Sequence, residues 1–114
     1  MRDDRARLLD ILDAIEKIEQ YAARGRGEFE RNELVQTWIV HHLQIIGEAV
    51  RGLTDELRKQ YPEVPWSQVI GMRNLLVHQY FGIDIDAVWN VVENHLGVFK
   101  KDVARMLGSI GDQS

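Results

Sequence analysis

The chain has 114 residues, 45% of them hydrophobic, a net charge of −4 at pH 7 and no cysteine. That length supports one domain with a modest core. The composition excludes disulfide and thiolate chemistry, a membrane-spanning run of apolar residues, and a secretory signal behind the charged start MRDDRARLLD, and it fits a reducing cytoplasm. The acidic balance argues against a general nucleic-acid coat protein but leaves room for a local basic pocket.

Four helical segments with short connections are predicted in chain order. Leu8, Ile11, Leu12, Ile15, Ile18 and Ala22 recur at three- and four-residue spacing, which predicts a helix from about Asp3 to Ala23. Asp3 and Asp4 suit its start, and Arg24-Gly25-Arg26-Gly27 ends it. A second helix is predicted from about Phe29 to Leu53. One stripe on it carries Leu34, Trp38, His41, Ile45 and Ala49; its neighbour carries Val35, Ile39, His42, Ile46, Val50 and Leu53. Together they span more than half the circumference, where a small monomeric bundle needs about one third. The surplus apolar width points to a partner surface, most simply a homodimer interface; the alternative is a central helix buried inside one copy.

A short helical turn after Thr54 leads to Tyr61-Pro62-Glu63-Val64-Pro65, and Pro65 opens a third helix that runs to about Tyr80. Gly82 fits its C-terminal cap region. The fourth helix is capped by Asp84 or Asp86 and follows the stripe Ile85, Val88, Trp89, Val92, Leu96, Phe99, Val103, Met106 and Leu107. Trp38, Trp66 and Trp89 sit at core-like spacings, and no strand pattern is visible. The fold class is all-α: an antiparallel bundle of four main helices.

The chemistry concentrates in Arg73-Asn74-Leu75-Leu76-Val77-His78-Gln79-Tyr80. Arg is suited to phosphate oxygens through its planar fork of donors, and His to proton transfer near neutral pH. By chance, Arg, four residues, His, one residue, Tyr is expected about 0.01 times in a chain of this composition. On an ideal helix Arg73 and His78 stand about 140° apart. One straight helix therefore does not aim both at one phosphate. Either the His end deviates, or a second copy of the helix contributes across a two-fold axis. Adjacent His41 and His42 do not form a same-face metal pair, and neither a His-Glu-x-x-His run nor a glycine-rich phosphate loop is present. No metal or other cofactor is expected.

The run PWSQVIGMRNLLVHQYFGIDIDAVW, from Pro65 to Trp89, closely resembles the HepT-like branch of the HEPN ribonuclease toxins. Gln44-Ile45-Ile46-Gly47-Glu48-Ala49 resembles that family's second helix, and the resemblance spans about Leu8 to Phe99. It implies a HEPN-like helical homodimer, the toxin of a type VII-like toxin–antitoxin module, that cleaves RNA and is neutralised by a cognate minimal nucleotidyltransferase antitoxin. Arg73 and His78 are then the expected catalytic pair, and Asn74 orients the imidazole or contacts the nucleotide. Tyr80 is the residue to which the partner attaches AMP; without the resemblance, a Tyr beside Phe81 reads as a half-buried anchor. Glu48 orients His78 or pairs with Arg73; equally it faces solvent or pairs with Arg51. A rival reading keeps the same bundle as a non-catalytic nucleotide-binding or protein-interaction module.

Overall fold

The computed structural model describes residues 3–78 and 82–110, apart from the side chains of Arg73, Leu75, Val77 and His78. The first predicted helix is present as α1 (Asp4–Ala22). Asp3 caps it by accepting the Ala6 N–H at 2.8 Å. Leu8, Ile11, Ala14, Ile15 and Ile18 form its buried face. The second predicted helix divides into α2 (Arg26–Arg31) and α3 (Glu33–Arg51). The break falls at Asn32, whose extended backbone leaves its side chain free to accept the N–H groups of Leu34 at 3.0 Å and Val35 at 3.3 Å. A continuous apolar pattern hid this cap, because Phe29 and Val35 both reach the same core.

Helices α1 and α3 run antiparallel. Asp4 meets Thr54 at one end, where it accepts from both the Thr54 N–H (2.9 Å) and hydroxyl (2.6 Å). The Trp38 indole N–H donates to the Lys17 carbonyl at 3.1 Å at the other end. Thr54 also caps α4 (Asp55–Gln60) through the Leu57 N–H at 3.2 Å, so one carboxylate ties two helix starts together.

The third predicted helix is shorter than its pattern and interrupted. It forms α5 (Trp66–Ile70) and α6 (Met72–Leu76), with Gly71 between them. The Trp66 indole N–H holds its start by donating to the carbonyls of Arg58 (3.1 Å) and Tyr61 (3.0 Å). Two short antiparallel strands follow, β1 (Val77–His78) and β2 (Gly82–Ile83), paired Val77 to Ile83 and His78 to Gly82. The fourth predicted helix is α7 (Ile85–Asn94) followed by α8 (Leu96–Ile110), with a kink at His95. Asp84, not Asp86, caps α7, accepting the Ala87 N–H at 3.0 Å. Lys100 on α8 donates to Glu19 on α1 at 2.7 Å, and this bond raises the ammonium pKa.

The core joins these helices in one cluster, with Leu8, Ile15, Phe29, Ile39, Ile46, Val88 and Val103 fully or almost fully buried. Trp89 is buried there with its ring 5.3 Å from that of Phe29. Trp66 is half-buried and edge-on to Phe99. Trp38 departs from the expected core role: it keeps 38% of its surface exposed and lies against Tyr21 and His42 at the edge of α3.

The two backbones that carry the candidate site meet at Gly47. A Cβ there would stand 3.2 Å from the Val69 carbonyl oxygen and 3.8 Å from that of Ile70, both on α5. Glycine lets α3 approach the segment that leads into α6. Gly47→Leu is expected to force the pair apart and cost about 1–3 kcal/mol by overpacking. A lower urea midpoint at unchanged slope checks it.

Candidate active site

Three elements position the residues singled out from the sequence. Helix α6 carries Arg73 and Asn74, β1 carries His78, and α3 carries Glu48. Asn74 is exposed, and its N–H donates to the Gly71 carbonyl at 3.1 Å, which starts the α6 turn directly behind α5. Tyr80 lies outside the described residues, as do the side chains of Arg73 and His78.

The backbone resolves one of the two alternatives left by helical geometry. The helix stops at Leu76. The Leu76 carbonyl accepts the N–H of Asp84 at 2.7 Å, a long-range partner that ends the helical ladder. Val77, β-branched and poor at continuing a helix, enters the extended segment with His78. A strand rises about 3.3 Å per residue against 1.5 Å in a helix, and its side chains alternate. The 140° separation of Arg73 and His78 therefore no longer applies. The His end deviates within a single copy, and this leaves a contribution from a second copy open.

Glu48 is exposed and lines an open groove of about 480 Å³ with Arg7, Asp10, His41, Gln44, Ile45 and Ala49. The groove runs between α1 and the outer face of α3. The Arg7 guanidinium lies across Gly52, and its Nε is buried with no hydrogen-bond partner among the described residues. No ion pair joins Glu48 to Arg51 among the described residues. Sequence reasoning singled out Glu48 but missed Arg7 and Asp10. Their signal was present: they flank the α1 stripe on the side that faces α3.

The outer face of α3 continues past the groove toward its N-terminus. Leu34 there is 82% exposed and Trp38 38%, an uncovered apolar end of this face, while Ile45 is half-buried against the core and Ala49 lies in it. Together these belong to the first of the two stripes read from the sequence; the second, with Val35, Ile39, Ile46 and Val50, is inside the core. No helix among the described residues is long and apolar enough to cross a membrane.

Residues 11–106 match the profile of a family described as Ribonuclease HepT-like. A protein of Methanocaldococcus jannaschii, provisionally named an RNase, is 36% identical over 103 residues, covering 90% of this chain and 94% of the relative. A second such protein of that organism is 34% identical over 110 residues, covering 96% and 91%. A protein of Thermococcus cleftensis, provisionally named ribonuclease HepT, is 33% identical over 100 residues, covering 87% and 91%. No solved structure matches the chain.

Proposed function

The chain belongs to the Ribonuclease HepT-like family, and from that premise we propose that it is a metal-independent endoribonuclease, the toxin of a module whose antitoxin is a minimal nucleotidyltransferase. The observation that carries the reading is the intact Arg73…His78…Tyr80 motif, inside the matched residues and at the junction where α6 gives way to β1.

In the proposed reaction, His78 removes the proton from a ribose 2′-hydroxyl. The 2′-oxygen then bonds to the adjacent phosphorus, and the bond from phosphorus to the 5′-oxygen breaks. A second acid, His78 of another copy, returns a proton to the leaving 5′-oxygen. Arg73 balances the charge that builds on the non-bridging oxygens. Asn74 orients the imidazole or contacts the nucleotide, and Glu48 supports the site from α3. The need for a 2′-hydroxyl makes RNA the substrate and DNA inert.

This chemistry leaves a 2′,3′-cyclic phosphate, or its hydrolysis product, and a 5′-hydroxyl. End-group analysis of RNA cut by the purified chain tests it, with and without chelator. Cyclic ends and indifference to chelator are expected. A 3′-hydroxyl with a 5′-phosphate, or activity that chelator removes and metal restores, overturns it. Tight nucleotide binding with no cleavage instead supports the non-catalytic module.

The homodimer belongs to the same proposal, supported by the uncovered apolar end of α3. Leu34 is the cleanest probe, because 82% exposure gives it little to hold within one protomer. Leu34→Glu is expected to leave helical content unchanged and weaken self-association by about tenfold or more. Sedimentation across a concentration series reads this directly. An unchanged association constant removes that end of α3 from the interface.

A further inference from the structure

Gly82 has a backbone φ of +74°. Among the described residues, a Cβ built on it would meet no atom within 4 Å. Its described surroundings therefore make no packing demand for glycine, and the demand the backbone shows is conformational. L-residues reach positive φ at a cost, with Asn and Asp the least penalised.

Gly82 is also the residue paired with His78 across the two strands. That ladder holds two residue pairs, with residues 79–81 between its strands. Its base is anchored on one side. The Asp84 N–H donates to Leu76, and the Asp84 side chain caps α7, so β2 is fixed to a helix that packs in the core. Strand β1 is held by α6 behind it and by its register with β2 ahead. In a hairpin that register depends on the turn, and a slip of one residue turns every side chain of the strand to the opposite face.

We infer that Gly82 is a positioning residue for His78: its left-handed backbone sets the β1–β2 register and thereby fixes where the His78 backbone stands relative to α6. The functional consequence rests on the reading of His78 as the acid–base group. The structural consequence does not.

The test uses Gly82→Ala and Gly82→Asn in the full chain. It follows RNA cleavage together with the imidazole cross-peaks of the four histidines, His78 being assigned by its loss in His78→Ala. Gly82→Ala is expected to lower kcat about 100-fold and to leave KM within about twofold, the signature of a misplaced reacting group. The His78 cross-peaks should move while those of His41, His42 and His95 hold still. Gly82→Asn, which accepts positive φ, should restore both readouts. The inference is overturned if Gly82→Ala cleaves like the wild type, if its His78 signals are unmoved, or if Asn fails to rescue what Ala lost. Global loss of helical signal in Gly82→Ala also overturns it, since Gly82 would then hold the fold rather than one side chain. If the wild type itself does not cut RNA, the ribonuclease reading fails, and the histidine signals alone still decide the role of Gly82.

Discussion

Arg73→Ala and His78→Ala are each expected to reduce RNA cleavage to near background with the fold intact. Removing the acid–base group costs about 10²–10⁴-fold. Removing one charged donor from a developing oxyanion costs about 10²–10³-fold. Arg73 lies on the five-residue α6 and His78 on the two-residue β1, outside the long helices α1, α3 and α8, so circular dichroism and sedimentation should match the wild type. The two variants separate by mechanism. His78→Ala should flatten the dependence of rate on pH across the imidazole range. Arg73→Ala should keep that dependence at a lower rate, and Arg73→Lys should recover only part of it, because an ammonium lacks the planar fork that grips two oxygens. Rapid cleavage by either alanine variant would remove that residue from the mechanism.

The helical stripes were legible where one apolar face met one core. Leu8, Ile11, Ile15 and Ile18 on α1 are buried as their spacing predicts. The breaks were less legible, because the residues on either side share the same core. The pattern from Phe29 through Val35 gives no sign that Asn32 ends one helix and caps the next. The stripe from Val92 to Phe99 likewise runs smoothly through the kink at His95. The end of α6 was hidden for another reason. It depends on the N–H of Asp84, eight positions away from the carbonyl it satisfies, and local periodicity carries no trace of such a bond. Gly82 was read as a helix cap, a natural role for glycine after a helix; it lies instead at the start of β2, opposite His78, with a positive φ. The width of the apolar surface on α3 was legible in advance. Of its outer stripe, the protomer leaves uncovered the N-terminal part, Leu34 and the edge of Trp38. The candidate site was legible as residue types but not as geometry. Arg73 and His78 were named from the motif, whereas the strand that carries His78 emerged only with the fold.

Co-expression with a cognate nucleotidyltransferase is expected to increase the mass of this chain by one or more AMP units, all carried on Tyr80, and to silence its cleavage of RNA. An ideal helix would place Tyr80 about 10 Å along the axis from Arg73. Because α6 ends at Leu76, that distance does not carry over. The argument rests instead on the chain itself. Tyr80 follows His78 by two residues, so any group attached to its hydroxyl is tethered beside the proposed acid–base residue. The tether raises local concentration without requiring new affinity. An attached phosphate brings negative charge toward Arg73, and the adenosine competes for the space an RNA nucleotide would use. The other two tyrosines serve as internal controls. Tyr21 and Tyr61 are half-buried, with the guanidinium groups of Arg24 and Arg105 at 4.7 and 5.2 Å from their ring centres. Peptide mapping should find both unmodified. Tyr80→Phe should show no added mass, retain cleavage in the presence of the nucleotidyltransferase and ATP, and fold as the wild type does. An intact-mass spectrum with no adduct, or a Tyr80→Phe chain that is modified and silenced like the wild type, would defeat this account. Inhibition would then come from the antitoxin covering Arg73 and His78 rather than from a nucleotide fixed beside them.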